Sequence, residues 1–88
     1  MKNLVDTRSI ELRIVEIMIL ELKLEDTTPE TFDPDLDLFD ELGLDSMDLT
    51  TVALILQDEY EITIDDEDFP ELTTVRRIAR YLQERGAS

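Results

Sequence analysis

The sequence predicts an all-α protein: a small four-helix bundle made of three main helices and one short helix, with a long loop between the first two. Three observations support this fold class. Apolar residues recur at helical spacing in three separate segments, and alternating strand-like runs and two-residue hairpin turns are absent from the sequence. The chain has 88 residues, which is the length of one domain, so we expect a single domain over residues 1–88.

The first helix is predicted over residues 9–24, where apolar side chains recur every three or four positions. Thr7 or Ser9 could cap its start, because their hydroxyls can accept a hydrogen bond from a free backbone N–H group. The apolar band is broad, so we expect neighbours on more than one side of this helix. Its two rows are Ile10, Ile14, Ile17 and Met18, and Leu12, Val15, Ile19 and Leu22.

A long loop is predicted over residues 25–45. Pro29 and Pro34 interrupt any helix there, and the threonines and aspartates around them suit turns. The second half of the loop is too apolar to remain in solvent, so we expect it to pack on the bundle, with one helical turn over residues 38–42. An ordered loop of this length in a small domain usually has a functional role.

Two further main helices and one short helix complete the prediction. The second helix spans about 46–60, begins at Asp45 or Ser46, and carries a clean core row. A short helix over about 66–72 is limited by a proline, and the last helix spans about 74–84 with Thr73 or Thr74 as its cap. The predicted core row of the second helix is Leu49, Val52, Ala53, Leu56 and Tyr60, and that of the last helix is Val75, Ile78, Ala79 and Leu82.

The charge and composition exclude several functions. The formal net charge is −15, and the chain has no Cys and no His, so a Cys/His zinc site and Ser-His or Cys-His catalysis within the chain are excluded. No Lys or Arg lies between residues 25 and 75, whereas 18 of the 23 acidic residues do. We therefore expect no nucleic-acid partner and no membrane insertion. The acidic block is either a solubilising surface or a docking field for basic partners.

Metal binding and acid–base catalysis gain little support from the acidic residues. Asp33, Asp35 and Asp37 alternate like the start of a calcium loop, but Leu38 and Leu44 stand where that loop needs Gly and Glu. Carboxylates are so numerous that no pair stands out, and a bundle of this size has little room for a pocket. We therefore expect no metal site and no intrinsic enzyme activity.

The start of the second helix draws attention to Ser46. Gly43 allows a tight bend there, and Asp45 or Ser46 then caps the helix. In one interpretation Ser46 is a plain capping residue. In the other, its hydroxyl is exposed beside free backbone N–H groups, where a phosphate ester would be stabilised. The residues alone leave both interpretations open.

The outward side of the same helix carries a second feature. Met47, Thr51, Leu54 and Asp58 recur at helical spacing roughly opposite the core row. Two exposed apolar residues on one stripe can be an accident of composition, or they can form a small docking patch.

The segment from Leu42 to Asp48 resembles the phosphopantetheine attachment motif of acyl carrier proteins, and the likeness extends from about Asp37 to Leu82. The resemblance implies a four-helix bundle in which Ser46 carries 4′-phosphopantetheine donated from coenzyme A by a phosphopantetheinyl transferase, with Asp45 as a second residue of the cofactor site. The arm holds acyl groups as thioesters, so the protein is a carrier and not an enzyme. The resemblance also implies a cytoplasmic monomer.

The same resemblance indicates how partners dock. Acyl-loading and acyl-processing enzymes with basic surfaces would meet the second helix at six residues. Fatty-acid carriers often have Glu where this chain has Thr51 and Gln57, so we expect a specialised carrier in fatty acid, polyketide or related lipid biosynthesis. The alternative is an acidic helical adaptor that binds a basic protein without a cofactor. The six docking residues are Met47, Asp48, Thr51, Leu54, Asp58 and Glu59.

Overall fold

A computed structural model describes residues 6–86 as a bundle around one core. The three main helices are α1 (Thr7–Leu22), α2 (Ser46–Tyr60) and α3 (Val75–Glu84), and a short 3-10 helix spans Asp66–Glu71. The described residues contain no strand, and none of their helices is long and apolar enough to cross a membrane. The all-α fold class predicted from the sequence is confirmed.

Helix α1 begins and ends two residues earlier than the sequence predicted. Its N-cap is Asp6 and neither Thr7 nor Ser9, because the Asp6 side chain accepts a hydrogen bond from the Ser9 backbone N–H at 2.8 Å. That hydrogen bond also lowers the pKa of the Asp6 carboxyl. The helix stops at Leu22 because Lys23 adopts a left-handed conformation with φ of 56°.

The other helix boundaries lie close to the prediction. Helix α2 has the predicted bounds. The short helix is a 3-10 helix that ends one residue earlier than expected, with Pro70 inside it. Helix α3 begins at Val75, one residue after the predicted start, because Thr74 is the cap, with its hydroxyl accepting from the Arg77 N–H at 3.1 Å.

Helix α1 lies at the centre of the bundle and packs against both α2 and α3, as its broad apolar band predicted. Four of the predicted core residues are only partly buried, namely Leu12, Ile19, Leu22 and Tyr60, whereas the other predicted core positions of the three helices are buried. The loop and the segments flanking the 3-10 helix add apolar side chains to the same core. The buried apolar residues are Ile10, Ile14, Val15, Ile17, Met18, Phe32, Leu38, Leu49, Val52, Ala53, Leu56, Ile64, Leu72, Val75, Ile78, Ala79 and Leu82.

One carboxylate, that of Glu11, is buried with the core, and the sequence did not predict it. Its oxygens lie 3.3 Å from Arg8 Nη1 and 3.5 Å from Arg76 Nε. Arg76 also pairs with Asp35 in the loop at 3.0 Å. This ionic cluster therefore ties α1, the loop and the start of α3 together.

The long loop is bound to α3 by its backbone as well. The Leu38 N–H donates to the Thr73 carbonyl oxygen at 2.8 Å, and the Arg76 N–H donates to the Pro34 carbonyl oxygen at 2.9 Å. Because Leu38 is also buried in the core, the loop is fixed at its middle. The apolar second half of the loop packs on the bundle as expected.

A helical turn leads from the fixed part of the loop toward α2. The Asp37 carboxylate accepts hydrogen bonds from the Phe39 and Asp40 N–H groups at 2.9 and 2.8 Å, so it caps this turn. The Glu41 N–H then donates to the Asp37 carbonyl oxygen at 2.9 Å, which matches the single turn predicted over residues 38–42. Gly43 follows with φ of 70°, a conformation that favours glycine, and redirects the chain into α2.

Candidate functional site

The start of α2 is capped by two aspartates that bond to each other's backbone. Asp45 Oδ1 accepts from the Asp48 N–H at 2.9 Å, and Asp48 Oδ2 accepts from the Asp45 N–H at 3.2 Å. This reciprocal pair is a capping box, which satisfies two backbone donors that a helix start otherwise leaves open. The capping residue is therefore Asp45, and of the two capping residues that the sequence allowed, Ser46 is not the one used.

Ser46 is the first residue of α2, and its side chain is exposed. Its carbonyl oxygen accepts from the Thr50 hydroxyl at 2.7 Å, whereas its own hydroxyl has no hydrogen-bond partner within residues 6–86. Because Asp45 does the capping, this hydroxyl is available for chemistry.

The surroundings of Ser46 fit a phosphate ester. The Asp48 and Leu49 N–H groups are satisfied by Asp45, through its side chain and its carbonyl oxygen. The N–H groups of Ser46 and Met47 have no partner among the described residues, and they stand at the positive end of the helix dipole. Two free donors beside an exposed hydroxyl can hold the oxygens of a singly charged phosphodiester, such as the one that links 4′-phosphopantetheine to a serine.

The apolar residues predicted for docking lie on the outside of α2. Met47 is 77% exposed and Leu54 is 59% exposed, and Thr51 is also exposed. A third exposed apolar residue, Leu20, lies on α1 and was not predicted.

The three acidic residues predicted for docking differ from one another. Asp48 is partly buried and engaged in the capping box. Asp58 is exposed and has no ion pair within residues 6–86. Glu59 is held by Arg13 of α1 in a two-pronged ion pair, with Nε–Oε2 and Nη2–Oε1 distances that are both 2.7 Å.

Pairing of Arg13 with Glu59 shifts the pKa values of both side chains in the directions that favour their charged forms. Hydrogen bonding to Arg13 lowers the pKa of the Glu59 carboxyl, and hydrogen bonding to Glu59 raises the pKa of the Arg13 guanidinium. The charge of Glu59 is thus largely compensated by its neighbour. Of the predicted docking carboxylates, only that of Asp58 is both exposed and uncompensated.

Sequence reasoning missed Arg13 and Thr50 at this site. Thr50 lies three residues after Met47, so its place on the outward face could have been found from helical spacing. The pairing of Arg13 with Glu59 joins residues 46 positions apart and has no local sequence signal. Gln57 stands where fatty-acid carriers often have Glu, but its side-chain oxygen accepts from the Ile64 N–H at 2.8 Å and so holds the chain after α2.

The carboxylates that resembled a calcium loop have other roles. Asp33 Oδ1 accepts from the Asp35 N–H at 2.9 Å, Asp35 pairs with Arg76, and Asp37 caps the helical turn. In the part of the chain that the structure describes, no group of three or more acidic residues is placed to hold a metal ion.

Comparisons with known proteins agree with this geometry. Residues 13–82 match the family model described as "Phosphopantetheine attachment site". An acyl carrier protein from Streptomyces coelicolor is 37% identical over 70 residues, which cover 80% of this chain and 76% of the relative. The chain belongs to the acyl carrier protein family.

Other relatives and one solved structure lead to the same family. Acyl carrier proteins from Bdellovibrio bacteriovorus and Syntrophobacter fumaroxidans are 28% and 29% identical over 74 and 83 residues, covering 84% and 94% of this chain and 91% and 99% of the relatives. A solution structure assigned to an acyl carrier protein from Anaplasma phagocytophilum superposes with a TM-score of 0.79 at 26% identity, covering 99% of each chain.

Membership of the acyl carrier protein family confirms the recognition made from the sequence. The cofactor of this family is 4′-phosphopantetheine, as the sequence also indicated. Members are carriers rather than catalysts, and they interact with a phosphopantetheinyl transferase and with enzymes of acyl metabolism.

Proposed function

We propose that this chain carries acyl groups on a 4′-phosphopantetheine arm attached to the Ser46 hydroxyl. The observation that carries this assignment is that the start of α2 is capped by residues other than Ser46. Asp45 and Asp48 form the capping box of α2, and the adjacent Ser46 hydroxyl is exposed and has no hydrogen-bond partner within residues 6–86. A serine used only for capping would hold the N–H that Asp45 holds here.

The attachment reaction needs little from the chain itself. Ser46 Oγ would form a bond to the pantetheine-linked phosphorus of coenzyme A, the adenosine bisphosphate portion would leave, and a base of the transferase would take the hydroxyl proton. The free Ser46 and Met47 N–H groups lie where they can hold oxygens of the product phosphodiester. When attached, the arm supplies the thiol that carries acyl groups, a group that the cysteine-free chain lacks.

The arm at Ser46 suits a carrier that serves several enzymes in turn. A flexible tether raises the effective concentration of its cargo at each active site on which the protein docks. We place this carrier in fatty acid, polyketide or related lipid biosynthesis as a specialised member. Two observations support the specialised assignment. The outward face of α2 has Thr51 where fatty-acid carriers often have Glu. Gln57 also stands at a position where those carriers often have Glu, and its side chain accepts a hydrogen bond from the Ile64 N–H.

Intact-mass spectrometry after incubation with coenzyme A and a promiscuous phosphopantetheinyl transferase tests the assignment. The chain should gain one phosphopantetheine arm, and the Ser46→Ala variant should gain none. Ser9→Ala is the matched control, because Ser9 is also exposed and near the start of a helix, and it should be modified like the unchanged chain. An acidic adaptor without a cofactor would gain no mass in any variant, and that result would overturn the proposal.

A further inference from the structure

Basic residues are concentrated on α3, in contrast to the rest of the chain. Residues 76–85 contain four of the eight Lys and Arg residues and only one of the 23 acidic residues, Glu84. With four basic residues against one acidic residue, this segment has a formal charge of +3 in a chain of net charge −15. The outer side of α3 is therefore unlike the acidic surface of the middle of the chain.

A cleft of about 650 Å³ lies against this basic side of α3. Side chains of the 3-10 helix, of α3 and of the loop between α1 and α2 line it, and three of them are the arginines Arg76, Arg77 and Arg80. Its volume is within the range of sites that bind small molecules. We call it the α3 cleft.

Part of the charge that lines the α3 cleft is neutralised within the fold. Arg76 Nη1 lies 3.0 Å from Asp35 Oδ2. The Asp68 carboxylate accepts a hydrogen bond from the Tyr81 hydroxyl at 2.7 Å, and Arg85 Nη2 lies 3.1 Å from the same carboxylate. These side chains hold one another, so they form the walls of the cleft and contribute little free charge to a ligand.

Four other charged side chains that line the α3 cleft are unpaired. Arg77, Arg80, Glu71 and Glu84 are all exposed, and none of the four makes an ion pair within residues 6–86. Arg80 precedes Glu84 by one helical turn, which is the less favourable order of charges for an ion pair along a helix. The fold therefore leaves two cations and two anions apart from each other around one cleft.

The unpaired charges are separated along the cleft. Arg77 and Arg80 are three residues apart on one face of α3, so their guanidinium groups can hold a single carboxylate or phosphate between them. Glu84 follows Arg77 by seven residues, which is about 10 Å along the helix axis, and Glu71 comes from the 3-10 helix. A ligand with opposite charges at its two ends can meet both pairs.

Ligands of a single sign suit the α3 cleft less well. A simple anion would meet Glu71 and Glu84, and the net charge of −15 would repel it from a distance. A simple cation would meet Arg77 and Arg80. A molecule with no net charge escapes the long-range repulsion, and it can still form ion pairs at both of its ends.

From this arrangement we propose that the α3 cleft binds a small zwitterion, with its carboxylate on Arg77 and Arg80 and its ammonium group on Glu71 and Glu84. The inference goes beyond the proposed function. None of the side chains that line the cleft belongs to α2, so the site is separate from Ser46 and does not depend on the arm.

Nuclear magnetic resonance titrations of the full isotope-labelled chain at constant ionic strength test the inference. Three probes share one chain length: 6-aminohexanoate has both charged groups, hexanoate only the carboxylate and hexylamine only the ammonium group. 6-Aminohexanoate should shift the amide signals of residues 71–84. It should bind there about fivefold more tightly than either of the other probes, which is the upper range for one added exposed ion pair.

Substitutions of the unpaired residues assign each end of the probe. The double variant Arg77→Gln with Arg80→Gln should lose the shifts, and Glu71→Gln with Glu84→Gln should remove the difference between 6-aminohexanoate and hexanoate. Lys23→Gln is the matched control, because Lys23 is also exposed and has no ion pair within residues 6–86, but it lies outside the cleft. The exposed positions of all five residues predict melting curves close to that of the unchanged chain.

Several results would overturn the inference. Hexanoate or hexylamine that binds at residues 71–84 as tightly as 6-aminohexanoate would show a site for a simple ion. An absence of shifts at these residues would show no site, and capture by phosphatidylethanolamine vesicles without binding of 6-aminohexanoate would assign the cleft to a membrane surface. Ser46→Ala should bind 6-aminohexanoate like the unchanged chain, so a failure of the attachment assignment and a failure of this inference are distinguishable.

Discussion

Replacing Asp45 with alanine should destabilise the fold, whereas replacing its neighbour Ser46 should not. The Asp45 side chain holds the Asp48 N–H at 2.9 Å, and alanine would leave that donor open and undo the capping box. Removal of such a cap costs about 1 kcal/mol of unfolding free energy. For a domain of this size, that loss corresponds to a fall in Tm of about 4–8 °C.

Far-UV circular dichroism melts at neutral pH measure the effect, with two variants as controls. Asp45→Asn removes the same charge but retains a side-chain oxygen for the Asp48 N–H, so its Tm should stay close to that of the unchanged chain. The free energy of unfolding of Ser46→Ala should also lie within about 0.5 kcal/mol of that of the unchanged chain, because the exposed Ser46 hydroxyl makes no hydrogen bond among the described residues. If Ser46→Ala proves as costly as Asp45→Ala, the serine is a structural cap and the reasoning is refuted.

Three further predictions concern the bundle. Glu59→Gln should lower Tm at neutral pH, and the difference should shrink as the pH falls below 4.5; because pairing with Arg13 lowers the folded-state pKa of Glu59 from 4.5, the stabilisation is fully present above that value and is lost as the pH falls through the lowered pKa. An equal effect at all pH values would contradict this. Tyr81→Phe should cost about 1 kcal/mol in urea unfolding, because the Tyr81 hydroxyl donates to a carboxylate at 2.7 Å; Tyr60→Phe is its control, and equal costs would count against the assigned bond. Leu56→Ala should cost about 2–5 kcal/mol by the same assay, since Leu56 is fully buried, and a loss under 1 kcal/mol would be inconsistent with that burial.

The second helix could be predicted closely because its signals are local. Its core row, the glycine bend before it and the capping residues all lie within a few positions of one another. The predicted start of α1 was wrong because several neighbouring residues give the same local signal. Asp6, Thr7 and Ser9 are all good caps, and only the hydrogen bond to the Ser9 N–H shows which of them is used.

The parts of the site that escaped prediction depend on contacts between distant segments. Glu11 lies on the apolar band of α1, and its burial is made possible by Arg8 and by Arg76 from α3. Likewise, Glu59 belongs to the acidic block in the sequence, but Arg13 compensates it in the fold. Composition counts each acidic residue equally, whereas folding decides which of them a partner can reach.

The position of Ser46 depends in turn on parts of the chain far from it. The helical turn before α2 is fixed because the Leu38 N–H bonds to the Thr73 carbonyl oxygen, at the point where α3 is about to begin. The Leu44 N–H returns to the Leu38 carbonyl oxygen at 3.1 Å, so the residues just before Ser46 are tied to the same anchor. Because the loop is ordered by α3, the bundle can present the Ser46 hydroxyl at a defined place while leaving it uncovered. A carrier needs that combination, since each enzyme must find the arm at one place on a surface that it can cover.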